Sequence, residues 1–125
     1  MTPGIFLLLC VAGGVGAGTR FVVDGLIRSR VKTTFPWPTA IINMSGSLVL
    51  GILTGLVVSR IASTDVSAVI GTGFLGGYTT FSTASYETVQ LIREKKYSTA
   101  FAYSIGVLVV CVALAYAGYR WGASL

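Results

Sequence analysis

Four segments of the chain contain no charged residue and no histidine, and they constrain its fold more than any other feature. Each is about as long as a bilayer-spanning helix, which needs roughly 20 mainly apolar residues; they cover residues 1–19, 37–59, 66–86 and 97–119. Only 10% of all residues are charged, whereas soluble domains carry about 25%. A β-barrel would show short alternating strands instead of these long runs. The sequence therefore predicts an all-α, polytopic membrane protein.

The charges between these segments set the limits of four predicted transmembrane helices within a single domain, residues 1–125. We expect the spans at 3–27, 38–59, 66–92 and 97–119. The first lacks a basic start and has no cleavage pattern before Arg20, so we expect a true span and not a signal peptide. The loops on one side carry six basic residues, whereas the other side has only Arg60 and Arg120. This bias predicts that both termini lie outside the cytoplasm.

Small residues recur at a spacing of four within the predicted spans. Such patterns let membrane helices approach closely, and here they are Gly14 and Gly18, then Ser47, Gly51 and Gly55, then Gly73 and Gly77. Four spans bury little interior, and each presents a close-packing face. Oligomerisation is therefore expected.

Several functions are not indicated by the composition. The two cysteines, Cys10 and Cys111, lie within spans, and histidine is absent, so we expect apolar packing and no thiolate–imidazole metal site. The net charge of +5 is explained by basic residues at helix ends, which indicates lipid headgroups and no nucleic-acid partner. No set of nucleophile, base and orienting group is visible, so we do not predict an enzyme.

The third predicted span combines a helix-breaking sequence with many hydroxyl groups. Gly76 and Gly77 precede Tyr-Thr-Thr, and adjacent glycine and β-branched residues are poor helix formers. Between Tyr78 and Tyr86, seven of nine side chains carry a hydroxyl group, which is costly in lipid unless satisfied. A break at membrane depth needs partners or a cavity for its freed backbone groups. We therefore expect a break over residues 76–80.

Other polar residues within the spans have two interpretations each. Arg20 and Asp24 are four positions apart on one helical face. They either form an ion pair or extend their charged ends to the membrane interface, or Arg20 supplies positive potential at the mouth of an anion path. Asn43 either joins two helices by hydrogen bonds or uses its amide donors to bind a dehydrated anion.

Three motifs are spread over nearly the whole chain: "GGVGAGTRF" in the first span, "WPTAIINMSG" in the second and "GFLGGYTTFSTASYE" in the third. In order and spacing they resemble the motifs of the Fluc/CrcB fluoride channels, and the third is the most specific. The resemblance implies a four-helix subunit of an antiparallel dimer in the inner (plasma) membrane. It also implies two pores along the subunit boundary, passive export of fluoride that relieves its toxicity, and a structural sodium ion at the dimer centre.

By motif position, the resemblance also implies which residues do this work. Phe81 would turn a positive ring edge toward the anion, and Asn43 would donate from its amide. The residues implied to line the fluoride path or its vestibule are Arg20, Thr39, Asn43, Phe81, Ser82, Ser85 and Tyr103. The carbonyl groups of Gly76 and Thr79 would hold the sodium ion.

The chain also departs from the family pattern. Ala84 stands where relatives have a second pore phenylalanine, and span four has Val107, Cys111 and Ala115 where a hydroxyl is frequent. Together with the biased loop charges, these departures favour a second hypothesis beside the homodimer. The chain is then one half of a heterodimer with a paralogous subunit and one competent pore.

Two further functions remain open at this point. A small multidrug-resistance transporter is also a four-helix antiparallel dimer, but it needs an acidic residue deep in the first span, and residues 1–19 have none. A pore-dead subunit that only stabilises another is the other alternative, because of Ala84.

Overall fold

The computed structural model describes all 125 residues and contains helices but no strand. Three helices are long and apolar enough to cross a membrane: α1 (Pro3–Arg30), α2 (Trp37–Val58) and α5 (Tyr97–Ser124). These correspond to the first, second and fourth predicted spans. The prediction of an all-helical protein is confirmed, and three of its four predicted spans have the length and composition of membrane-spanning helices.

Helix α1 begins and ends with local signals that its sequence provides. The Thr2 hydroxyl accepts a hydrogen bond from the Ile5 N–H at 3.2 Å, and Pro3 occupies the first helical position, where its missing N–H costs nothing. The helix continues three residues beyond the predicted end at residue 27. An ion pair between Asp24 and Arg28, 2.8 Å long, lies on this last part and supports helical structure outside the apolar segment.

The third predicted span consists of two helices separated by a break. Helix α3 covers residues 64–78 and α4 covers Ser82–Arg93. Between them, Thr79 has extended backbone angles, φ −81° and ψ 163°. The break is present, but it begins at Thr79 and not at Gly76, because both glycines remain helical. Most of α3 is π-helical (Ala68–Leu75), as is a short part of α5 (Ala102–Gly106).

Helices α2 and α5 form the most extensive packed pair in the molecule. Glycines bring the two backbones together: a Cβ atom at Gly118 would lie 2.6 Å from the Leu48 carbonyl oxygen. In the same way, methyl groups at Gly51 and Gly55 would overlap the backbone of α5. The predicted packing role of these two glycines is confirmed.

Helices α1 and α3 form the second pair, again through glycine. A Cβ atom at Gly73 would lie 2.7 Å from the Leu9 carbonyl oxygen, and one at Gly16 would overlap the Phe74 carbonyl. Gly14 and Gly18, in contrast, have no atom within 4 Å of a Cβ position. The expectation that these two glycines pack helices together is wrong within this chain, because α1 turns a different face to α3.

Candidate functional site

An open groove of about 620 Å³ runs along α2 beside the helix break. Helices α3 and α4 form one wall of the groove, and the middle of α5 forms the other. It brings together six of the residues predicted from sequence: Asn43, Gly76, Thr79, Phe81, Ser85 and Tyr103. The groove is therefore the candidate site, and the predicted residues Arg20, Thr39 and Ser82 lie outside its lining.

Asn43 holds the break through two hydrogen bonds to one residue. Its Nδ2 donates to the Thr80 carbonyl at 2.8 Å, and its Oδ1 accepts from the Thr80 N–H at 2.9 Å. One side chain thus satisfies both backbone groups of Thr80, as a buried backbone requires. Because an amide has two N–H donors, one donor of Asn43 remains for another partner.

The carbonyl groups of Gly76 and Thr79 lose their ordinary helical donors at the break. In a continuous helix, the N–H four residues later would bond each of them. The N–H of Thr80 donates to Asn43 instead, and the N–H of Thr83 donates to the Thr80 hydroxyl at 3.1 Å. Both carbonyl groups belong to residues that line the groove. Two carbonyl oxygens beside the groove are thus left without their helical partners.

Arg20 contacts the break from the side of α1. Its Nε donates to the Gly77 carbonyl at 3.3 Å in a partly buried position, so a positive charge lies directly behind the freed backbone. Asp24 pairs with Arg28 and not with Arg20. The interpretation of Arg20 and Asp24 as an ion pair on the helix surface is therefore wrong, since Arg20 turns inward to a backbone partner.

Phe81 and the serines that follow it occupy the open side of the break. The Phe81 side chain lines the groove and is 87% exposed within the single chain. Ser82 lies 3.4 Å from the Thr80 hydroxyl, oxygen to oxygen. Ser85 lines the groove, and its hydroxyl makes no hydrogen bond within the chain. Ser85 can therefore donate to a ligand at no cost to the fold.

Tyr103 closes one end of the groove and is almost fully buried. Its ring packs edge-on against Phe35, with centroids 5.4 Å apart, and its hydroxyl donates to the Glu87 carboxylate at 3.2 Å. Thr39 is equally buried, at 2% exposure, and lies beside the Tyr103 hydroxyl. Tyr103 thus forms the wall at this end of the groove with Thr39 behind it, and the Tyr103 hydroxyl proton points away from the groove.

Sequence reasoning missed one groove residue in particular. The spacing of small residues predicts a packing role for Ser47, yet Ser47 lines the groove one turn after Asn43, and its hydroxyl makes no hydrogen bond within the chain. The signal was present, since residues four apart lie on the same helix face. The other hydroxyl groups of the lining are engaged: Thr79, Thr80, Thr88, Tyr103 and Ser104.

The positions that depart from the family pattern also lie at the groove. Ala84, Val107 and Cys111 are part of its lining, so this wall is apolar where a ring or a hydroxyl was expected. Ala115 is not part of the lining, and its carbonyl contacts Gly51 at the crossing of α2 and α5. The departures therefore change the groove at three positions.

The fold and the groove together define a class of protein: a small, polytopic α-helical membrane protein with a polar site beside a broken helix. The family model for CrcB-like proteins, described as "CrcB-like protein, Camphor Resistance (CrcB)", matches residues 7–119. This match covers most of the chain, and the chain belongs to this family. The resemblance inferred from the three motifs is thereby confirmed.

Curated relatives agree with this assignment over nearly the whole chain. "Fluoride-specific ion channel FluC 1" of Leifsonia xyli subsp. xyli is 44% identical over 98% of this chain and 89% of its own length. The protein of the same name from Ligilactobacillus salivarius is 37% identical over 88% and 92%. "Fluoride-specific ion channel FluC 2" of Bacillus thuringiensis subsp. konkukian is 38% identical over 93% and 95%. These relatives are named as ion channels and not as enzymes, in agreement with the prediction for this chain.

Proposed function

We propose that this chain is a subunit of a fluoride-selective channel through which fluoride leaves the cell passively across the plasma membrane. One observation carries the proposal: Asn43, Phe81 and Ser85 meet in one groove beside a helix break. Relatives that cover nearly the whole chain are named fluoride-specific ion channels. Passive export removes fluoride that enters as HF and ionises inside the cell.

The groove offers several weak donors and no strong binding site for an anion. Ser47 and Ser85 have free hydroxyl groups, and Asn43 has one N–H to spare. The edge of the Phe81 ring adds positive potential without a full charge. Several modest contacts replace hydration while still releasing the ion, which conduction requires. Further along the path, Thr39, Ser82 and Tyr103 contribute polar groups, and Arg20 contributes positive charge from behind the break.

A structural sodium ion belongs to the proposal as well. The carbonyl groups of Gly76 and Thr79 would hold it, and both have lost their helical N–H donors to side chains. Backbone carbonyl groups are suitable ligands for an alkali cation. When bound, the ion would supply positive charge that compensates the freed carbonyl oxygens. The chain's own contribution is to keep these oxygens unpaired.

The proposal includes an antiparallel dimer, and the polar residues on the open side of the groove support a covering subunit. Ser82 and Ser85 are exposed in the single chain, and Gly76 has no atom within 4 Å of a Cβ position. Polar groups of this kind do not face lipid, because nothing there satisfies them. In this proposal, a second subunit inserted in the opposite orientation covers the groove, and the fluoride path lies along the boundary between the two.

A heterodimer is the second candidate, and the groove lining favours it at one position. Ala84 lies in the lining with a methyl group, where the family pattern has a second pore phenylalanine. A paralogous subunit that supplies this ring would leave the dimer with one competent pore. The biased loop charges support the same alternative, because they favour a single orientation for this chain.

Fluoride efflux from liposomes tests the proposal. The purified chain is reconstituted alone or with a paralogous subunit, and efflux is followed with a fluoride electrode under valinomycin. Rapid fluoride efflux with little chloride efflux from the chain alone supports a homodimer. Efflux only with the paralogue supports the heterodimer. No selective fluoride efflux in either preparation refutes the channel.

A further inference from the structure

A network of charged and polar side chains joins three helices at the end of the groove. On α1, Asp24 binds the Nε of Arg28 at 2.8 Å. The Nη2 of Arg28 lies 3.6 Å from the Glu87 carboxylate on α4. The other oxygen of Glu87 accepts the hydrogen bond from Tyr103 on α5. The network thus runs from the surface of α1 to the wall of the groove.

Glu87 is the critical charge of this network because it lies one side chain away from the groove. Tyr103 lines the groove with its ring and contacts Glu87 with its hydroxyl. Glu87 itself lines a second, smaller cavity of about 180 Å³ together with Arg28. Its side chain is only 16% exposed, so solvent screens its charge poorly. An unpaired carboxylate at this point would repel an anion in the groove.

Arg28 is the one basic residue within 4.0 Å of the Glu87 carboxylate. Asp24 fixes the Nε side of its guanidinium and leaves Nη2 directed at Glu87. Asp24 is twice as exposed as Glu87, at 32% against 16%, so its own charge is better screened. Arg28 therefore lies between the two carboxylates, with its Nη2 directed toward Glu87, the more buried of them.

We propose that Arg28 is a positioning residue for anion conduction, because it neutralises Glu87 and fixes it against the Tyr103 hydroxyl. This inference rests on the proposed fluoride conduction. Arg28 does not contact the groove itself, and its effect reaches the anion path through Glu87. Removing Arg28 leaves an uncompensated negative charge behind the groove wall.

A charge-compensation cycle tests the inference in liposomes. Arg28→Gln lowers fluoride efflux by about tenfold, the order expected for one unscreened charge near the path. Glu87→Gln combined with Arg28→Gln restores efflux to within about twofold of the unmodified chain, because the repelling charge is gone. Arg28→Lys retains the positive charge and most of the efflux. A purely structural role for Arg28 would not be rescued by removing its partner.

Arg30→Gln is the matched control, since it removes the same charge from the same helix end and Arg30 makes no ion pair. Each variant is also checked for a monodisperse elution profile and for its thermal midpoint. Equal losses in Arg28→Gln and Arg30→Gln would overturn the inference, as would a double variant no better than Arg28→Gln. Should Arg28→Gln not fold, the double variant is compared with Glu87→Gln, and a large further loss of efflux contradicts the inference. If the unmodified chain, alone or with a paralogue, conducts no fluoride, the proposed function fails instead.

Discussion

Two regions of the molecule place backbone in a membrane in opposite ways. One is the crossing of α2 and α5, and the other is the break between α3 and α4. At the crossing, glycines such as Gly51 remove side chains so that two complete helices touch. At the break, Asn43 and Arg20 add polar side chains that satisfy backbone groups no helix satisfies. The crossing requires only that side chains are absent, whereas the break requires hydrogen-bonding side chains from other helices. This difference explains why the polar groove lies at the break.

The largest expected effect is at the crossing. Gly51→Ala places a methyl group against the Ala115 carbonyl, and we expect a loss of about 3 kcal/mol in folded stability, since neither backbone can move away easily. Gly106→Ala is the control, because its Cβ would meet no atom within 4 Å and alanine favours the helix by up to about 1 kcal/mol. The thermal unfolding midpoints of the two variants in detergent measure these changes in stability. Equal midpoints would show that the helices are not in contact at Gly51.

The next effect is at the break. Asn43→Ala removes both hydrogen bonds to Thr80, and we expect a loss of about 2 kcal/mol, because unpaired backbone groups then remain partly buried. Asn43→Asp keeps the acceptor for the Thr80 N–H but places a carboxylate oxygen against the Thr80 carbonyl, so we expect it to lose at least as much stability as Asn43→Ala. Thr54→Ala on the same helix, which removes only a bond to its own helix, serves as control. Unchanged stability in Asn43→Ala would mean that the backbone at the break is stable without the hydrogen bonds from Asn43.

The smallest effect on stability is expected at the free hydroxyl groups. Ser47→Ala and Ser85→Ala remove no hydrogen bond within the chain, so stability should change by less than about 0.5 kcal/mol. Fluoride efflux should nevertheless fall about fivefold in each, as for one lost hydrogen bond of about 1 kcal/mol. Ser29→Ala, whose hydroxyl bonds to the Leu26 carbonyl outside the groove, is the control for efflux. Efflux equal to this control would remove both serines from the fluoride path.

The parts of the fold that depend on local sequence could be predicted, and the parts that depend on distant partners could not. The predicted spans located α1, α2 and α5 to within about five residues, because the bilayer imposes a length on each apolar helix. The break was predicted from two glycines, but its start at Thr79 is set by the position of Asn43 on another helix. The π-helical segments had no signal in composition or spacing.

The residues of the candidate site also fall into those that the sequence predicts and those that depend on distant partners. Motif positions identified Asn43, Phe81 and Ser85, which the structure brings into one groove. Spacing alone paired Arg20 with Asp24, whereas Arg20 reaches the Gly77 carbonyl 57 positions away. Ser47 has the size and spacing of a small packing residue, so the sequence does not distinguish that role from a place in the groove lining. Only the three-dimensional arrangement distinguishes a hydroxyl that packs from one that is free.

The bond between Asn43 and Thr80 has a consequence for how the protein is made. Asn43 precedes Thr80 by 37 residues, so it leaves the ribosome and enters the bilayer first. The side chain that satisfies the Thr80 backbone is therefore already made when the break is synthesised.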